Sequence, residues 1–564
     1  MLASHRLRHR EVRKIVDSAG FLLSNKCGGF VHFSDRPRSR YEGLFFRLNG
    51  RVYRTIADIG IEGEVKEISN KFYRAERILA GNRETFFMPF GRNSVSYELD
   101  SEDQVSIALD VRKIYESGDF GGNYDITCVR GTIVIEFKRE GECLYLAIKA
   151  DGPEYGRIEE WKKVFYPDDE KRNSPPFELY VYDALKLNAK KLVVSFSDKK
   201  RDAVREASFV FQNLYELKKK QVRWIEKRLS SINAQKDIKL ANNCCLNSLY
   251  QLTTEDGIPA GFPWFFQYWS RDELIALNGT DRRMRKKILL RSLKNLREGR
   301  LPNILGGAET NADSAGWLFK RIDDDLEIFT KKERELIKRK LLDSIRNLDL
   351  SSEPGKTWMD SVARGGKRIE VQALALNMHR LAFRLTGRKK YRKLEDGLRD
   401  STRSRFWNGE ILADGEGDFT VRPNIFIAAY VYPELLGREE WIRCLENSLP
   451  KLWLEWGGLS SIDKNDGRFR AEHTGENPES YHNGDSWYWL NNLAALVMHR
   501  IDAERFGVYI DGILAASTRD ILSRGAIGHH SEISSASRET ASGCRVQAWS
   551  AALYLELVEE LFGW

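Results

Sequence analysis

A change of hydrophobic period near residue 200 constrains this chain more than any other feature. Before it, runs such as Thr132-Ile-Val-Ile-Glu-Phe137, Leu144-Tyr-Leu-Ala-Ile148 and Leu192-Val-Val-Ser-Phe196 are β-branched or aromatic and bounded by Gly, Asp or Lys, as strands are. Asn49-Gly50, between Phe45-Phe-Arg-Leu48 and Arg51-Val-Tyr53, reads as a hairpin turn because both residues tolerate positive φ. These features predict a twisted antiparallel β-sandwich over residues 1–205. Between Phe209 and Ile232 the apolar residues Leu214, Leu217, Val222, Ile225 and Leu229 take helical spacing among lysines and arginines, so residues 206–235 are expected to form a linker helix. From 236 to 564 helices dominate. Thr330-Lys-Lys-Glu333 has the form of a capping box, Leu374, Met378, Leu381 and Leu385 share a stripe, and similar stripes run through Leu289–Leu296, Leu490–Ile501 and Trp549–Leu561. Loops rich in Gly, Trp and Asp separate them, which reads as repeated helical hairpins with elaborate loops at one end.

Several function classes fall away on composition. With 564 residues the chain exceeds what one hydrophobic core supports, and two or more domains are expected. Its net charge of +8 is the small difference between 90 basic and 82 acidic residues, so the surface is interleaved charge rather than a field for a polyanion. The basic clusters Lys218–Lys220 and Arg282–Lys287 read as solvated helix faces, since neither sits in a nucleic-acid motif. Seven scattered cysteines without a CxxC pair or zinc-ligand spacing fit a reducing cytosol, with no metal expected. Met1–Lys14 is polar and lacks the apolar core of a signal peptide, and the apolar stretch Ile425–Leu436 is too short to span a bilayer. A cytoplasmic protein with neither nucleic-acid nor membrane partners is the expectation, and no feature fixes an oligomeric state.

The chemistry concentrates in the helical half. Twelve of the fourteen tryptophans lie after residue 260. Three loops pair tryptophans with carboxylates: Trp264-Phe-Phe-Gln-Tyr-Trp-Ser-Arg-Asp272, Trp358-Met-Asp360 and Asp485-Ser-Trp487. Sugar sites need flat rings for the apolar faces of a pyranose and charged groups that bond vicinal hydroxyls, for which Arg271 and Asp272 are suited. Cleaving a glycosidic bond further requires a proton donor and a second carboxylate in a different environment. Asp360, between Trp358 and Gly365-Gly366, is expected to be desolvated and to keep its proton near neutrality, and Glu532, in His530-Ser-Glu-Ile533, is the candidate partner. Gly355-Lys-Thr357 echoes a phosphate loop but lacks its first glycine, so it reads as the turn delivering Asp360, and His529-His530 reads as loop hydrogen bonding.

The ordered motifs resemble the glucosidase half of glycogen debranching enzymes and their shorter bacterial and archaeal relatives. Ile258-Pro-Ala-Gly-Phe-Pro-Trp-Phe265 with Trp269-Ser-Arg-Asp272 is similar to the motif that opens the family's barrel. Gly299-Arg-Leu-Pro-Asn303, Asn311-Ala-Asp313 with Trp317, Thr357-Trp-Met-Asp360, Arg368-Ile-Glu-Val371, Arg422-Pro-Asn424, Tyr481-His-Asn-Gly484 with Trp487, and Gly543-Cys544 with Gln547-Ala-Trp-Ser550 follow in the family's order. Gly28-Gly29 and Ser39-Arg-Tyr-Glu-Gly-Leu44 resemble its sandwich signature. The segment Ser361–Lys367 is shorter than the family's and lacks a Thr-Pro-Arg, and Glu42 and Ser270 stand where a histidine and a glycine are usual.

The resemblance implies a β-sandwich joined to an (α/α)6 barrel and inversion at the anomeric carbon, with Asp360 as general acid and Glu532 as general base. Arg271, Asp272 and Glu370 would hold the terminal glucose, Trp269, Trp358, Trp487 and Trp549 would wall it, and Asp313, His482 and Gln547 would join the substrate-binding set. No cofactor is implied. The expected activity is release of glucose from α-1,6 branch points of glycogen or a related α-glucan. The rivals are a glucoamylase-like α-1,4 exo-hydrolase on the same fold, a phosphorolytic enzyme, against which a carboxylate base argues, and a non-catalytic glucan-binding protein.

Overall fold

The computed structural model describes residues 1–7, 10–118, 120–152, 154–350 and 357–563. The chain divides into two compact units, one of Met1–Asp256 with Arg519–His529, the other of Gly257–Thr518 with His530–Trp564. Packing therefore divides the chain at 256, whereas the change of period suggested boundaries at 205 and 235. Among the described residues, no helix is long and apolar enough to cross a membrane.

The first unit is built on a fifteen-stranded sheet, counted over the described residues, which is antiparallel except where Leu2–Leu7 runs parallel to Val65–Asn70. Its two longest strands, Ser94–Lys113 and Glu178–Ser197, pair with each other and shift register between Glu98 and Asp103 and between Ile107 and Ala108. Such irregularities bend a strand, so a sheet can fold over its own apolar face. The enclosed core includes Phe21, Phe33, Phe86, Tyr97, Ile107, Leu146 and Val194. The Asn49-Gly50 hairpin forms as expected between Gly43–Leu48 and Arg51–Gly60, with φ of 50° and 79°. After the five-residue helix α1 (Pro167–Lys171), helix α2 spans Lys200–Glu226 and lays Ala203, Ala207, Val210 and Leu214 on Phe87, Ala147 and Val193. It begins nine residues before the expected stripe at Phe209 because its first buried positions are alanines, which carry almost no hydrophobic signal in a sequence. Helix α3 (Lys236–Leu252) also belongs to this unit.

The second unit holds α4 (Ser270–Ile275), α5 (Arg282–Asn295), α6 (Ser314–Asp324), α7 (Lys331–Asn347), α8 (Ile369–Thr386), α9 (Lys389–Phe406), α10 (Asn424–Val431), α11 (Arg438–Leu452), α12 (Tyr488–Asp502), most of α13 (Gly507–Ser523) and α14 (Ala548–Phe562). Helix α4 packs on α6, α6 on α8, α8 on α10, α10 on α12, α12 on α14, and α14 again on α4. Six inner helices thus close a ring, with outer helices between them in sequence, which is the expected (α/α)6 barrel. Burial follows position. All eight residues of α10 are buried, whereas outer α9 buries only Tyr391, Glu395, Thr402 and Phe406 of its eighteen. The capping box forms at α7, with Thr330 Oγ1 accepting from Glu333 N and the Glu333 carboxylate from Thr330 N. On the predicted stripe of α8, Leu374, Met378 and Leu381 are buried.

Candidate active site

The inner helices position the site residues, most of which stand at or just before a helix start. Trp269, Asp313, Arg368, Trp487 and Gln547 are the residues immediately preceding α4, α6, α8, α12 and α14. In the first turn of α4, Arg271 turns to Asp313, donating through Nε (2.9 and 3.0 Å) and Nη2 (2.9 Å), and both side chains are buried. A bidentate pair of this kind fixes the planes of both groups. Beside it, burial pushes the Asp272 carboxyl up to about 7, against the pull of Arg271 and helped by the charges of Glu532 and Asp360. Tyr481 feels the same three carboxylates, and burial followed by Glu532 holds its hydroxyl well above the ordinary tyrosine range. Asp272, Asp360, Tyr481 and Glu532 therefore share one electrostatic neighbourhood.

Glu532 is almost fully buried at 2% exposure. Its Oε1 accepts from Tyr481 Oη (2.7 Å) and its Oε2 from the backbone N–H of Cys544 (2.7 Å). The close approach of residues 543–544 needs Gly543, which has φ 62° and where a Cβ would lie 2.3 Å from Glu532 Oε2. A short strand pair, Ile533–Ser534 with Ser486–Trp487, ties this loop to the start of α12. A second pair joins Gly261–Phe262 to Val546–Gln547. A Cβ on Gly261 would come within 2.4 Å of the Gln547 side chain, so this glycine too is set by close approach.

Asp360 differs from its expected setting. It is exposed rather than desolvated. The ring of Trp358 turns inward, donating from Nε1 to Asn424 Oδ1 (2.7 Å) and meeting Trp487, Trp489 and His482 edge-to-face at 5.2–5.3 Å. It buries itself and leaves Asp360 on the open side of the loop, in a cavity of about 350 Å³ lined by Thr357, Met359–Arg364 and Gly365. Of the turn expected to deliver this residue, Gly355 and Lys356 lie outside the described residues.

Other candidates are engaged by protein groups. The Glu370 carboxylate is buried and bridged by Arg364 through Nη1 (2.8 Å) and Nη2 (3.2 Å), and burial pushes it up while Arg364 opposes. His482 is fully buried, bonds Ser361 Oγ through Nδ1 (2.5 Å) and stacks on Trp487 at 5.0 Å, and burial lowers it well below the ordinary histidine range, so it is neutral. The Gln547 amide is satisfied with its oxygen accepting from Trp549 Nε1 (3.1 Å) and its nitrogen donating to Ala260 O (3.3 Å). Trp549 stacks on Trp489 at 5.0 Å. The indole N–H of Trp269 is buried without a hydrogen-bond partner among the described residues. His529 and His530 make loop hydrogen bonds, His529 to Ser248 Oγ (2.7 Å) and Leu22 O (3.0 Å), His530 to Asn492 Nδ2 (3.2 Å).

Sequence reasoning missed three groups. In Tyr481-His-Asn-Gly484 it is Tyr481 that reaches Glu532, whereas the resemblance implies a role for its neighbour His482. Arg364 gave no signal beyond being an arginine in a glycine-rich loop. Glu273, adjacent to Asp272, is pushed up to about 7 by burial, opposed by Arg291, which bonds it, and accepts from Ile258 N (2.9 Å). It braces the loop that leads into α4.

Residues 245–352 and 350–556 match the family model described as amylo-alpha-1,6-glucosidase, more than half of the chain. No curated protein matches it. Among solved structures, a bacterial glucoamylase complexed with acarbose is similar over 98% of this chain and 96% of its own, with a TM-score of 0.62 at 11% identity, which is a likeness of fold. A GH63 mannosylglycerate hydrolase from Thermus thermophilus, in complex with Tris and D-glycerate, covers 57% of this chain and all of its own at a TM-score of 0.43 and 11% identity.

Proposed function

We propose, since the chain belongs to the amylo-alpha-1,6-glucosidase family, that it releases single glucose units from α-1,6 branch points of an α-glucan with inversion at the anomeric carbon. Asp360 donates a proton to the glycosidic oxygen as the bond breaks. Glu532 takes a proton from the water that attacks the opposite face of the sugar, so the glucose leaves as the β anomer. Arg271 and Asp272 hold the sugar's hydroxyls, and the tryptophan cluster backs the pocket. The observation that carries the reading is the family match over residues 245–352 and 350–556, within which both carboxyls act on Asp272 and Tyr481. Glu532 is buried with a donor on each oxygen, whereas Asp360 stands exposed at a cavity within the same electrostatic neighbourhood.

The likeness to glucoamylase keeps α-1,4 exo-hydrolysis as the second reading, since the fold serves both linkages. Digestion of singly branched and linear maltooligosaccharides, with the anomer of the released glucose followed from the first minutes, separates the two. The expected result is faster release from the branched substrate as the β anomer. Asp360→Asn and Glu532→Gln should each lower turnover by about 10³-fold or more, and near-normal turnover by either removes that residue from its role.

A further inference from the structure

We propose that Arg364 is the positioning residue of the general acid, fixing the reach of Asp360 by closing the base of the loop that carries it. This rests on the reading of Asp360 as that acid. An exposed carboxyl that must meet a glycosidic oxygen needs a rigid support beneath it, because a misplacement of about 1 Å can cost about 10²-fold in rate. Arg364 supplies the support from within the loop. Its Nη1 donates to Thr357 Oγ1 (2.9 Å), joining the residues on the two sides of Asp360. The same guanidinium bonds Glu370 of α8 (2.8 and 3.2 Å) and Asp414 (2.8 and 2.9 Å).

Asp414 extends the clamp. It accepts from Asn424 Nδ2 (2.6 Å), and Asn424 Oδ1 accepts from Trp358 Nε1 (2.7 Å), so Arg364 holds the loop directly at Thr357 and indirectly at Trp358. Beyond Asp360, Ser361 is tied to His482 (2.5 Å) and the Gly365 carbonyl accepts from Arg368. Arg364 has five N–H donors, and the five bonds to Thr357, Glu370 and Asp414 use all of them. None remains for a sugar hydroxyl, which assigns the residue to positioning rather than to substrate. Burial alone would lower the guanidinium, but the charges of Asp414 and Glu370 outweigh it and keep the group cationic. A lysine offers three donors from one point and cannot span this fork.

The test compares two substrates that differ in their need for an acid. A singly branched maltooligosaccharide needs its leaving oxygen protonated, whereas α-glucosyl fluoride expels fluoride with little help. Arg364→Lys should lower kcat on the oligosaccharide by about 10²-fold and Thr357→Val, which removes only the bond across the base of the loop, by about 10-fold, with KM little changed. Both should act on the fluoride by less than about 3-fold. Asp360→Asn should show the same split more deeply. If Asp360→Asn splits the substrates but Thr357→Val and Arg364→Lys slow both alike, or neither, Arg364 is a structural charge and the inference is overturned while the acid stands. If Asp360→Asn itself shows no split, the reading of the acid fails. Thr357→Val, nearly isosteric, decides the matter should Arg364→Lys not fold.

Discussion

The two proposed catalytic carboxyls differ in burial and in what fixes the loops that carry them. Glu532 is held at its own oxygens, one on a tyrosine hydroxyl and one on a backbone N–H that only a glycine neighbour allows so near. Asp360 is exposed, and the fixed points lie around it, at Thr357, Trp358, Ser361 and Gly365. The difference suits the tasks. A base that always addresses one water profits from a fixed plane, whereas an acid must meet leaving groups of varied shape and recover its proton from solvent each turnover.

Asp272 reads out both environments, and there the largest effect is expected. A carboxyl raised from near 4 to about 7 contributes stability that is complete below the lower value and is lost as pH rises through the upper one, at about 1.4 kcal/mol per pH unit. Glu273, also near 7, adds a constant background of the same sign. In thermal melts across pH 4–8, Asp272→Asn should remove its share of that slope. Glu532→Gln should remove part of it, and Asp360→Asn a smaller part, because water screens the exposed charge. Equal effects from these last two variants would break the contrast.

Next in size is Tyr481→Phe, which leaves Glu532 short of one donor and should lower kcat/KM by about 10- to 10²-fold, the scale of a hydrogen bond to a charged group. The loss should appear on oligosaccharide and fluoride alike, since both need the base, and a loss confined to the oligosaccharide would move Tyr481 to the acid's side. Ser361→Ala, which frees one point of the acid's loop, should cost only a few-fold and only on the oligosaccharide.

What the sequence made legible follows from the range of each interaction. The hairpin at Asn49-Gly50 and the capping box at Thr330 are local and form as read. The periodic stripes locate α8, α12 and α14, but the alanine-lined start of α2 does not announce itself. At the site, ordered motifs selected Asp360 and Glu532 from 82 acids, which composition could not have done. Orientation was not legible. Tyr481 and His482 are adjacent on an irregular loop, and no periodicity says which reaches Glu532 and which turns to Ser361. Asp360 was expected to be buried by its tryptophan neighbour, yet Trp358 finds its hydrogen bond 66 positions away at Asn424. The N–H of Cys544 is a backbone group that no residue type signals.

The closure of the ring has a further consequence. Where α14 returns to α4, the strand pair of Gly261–Phe262 with Val546–Gln547 lies on the join, and Ala548 N donates to Ala260 O (2.9 Å) beside it. Asp272 and Trp549 follow closely on its two sides. The barrel is thus latched beside Asp272 and Trp549, so an opening at this join would loosen the proposed sugar site while the helices remain intact. On warming, the proposed glucosidase activity should fade ahead of helical content, which makes the working life of this molecule a property of a clasp of two two-residue strands.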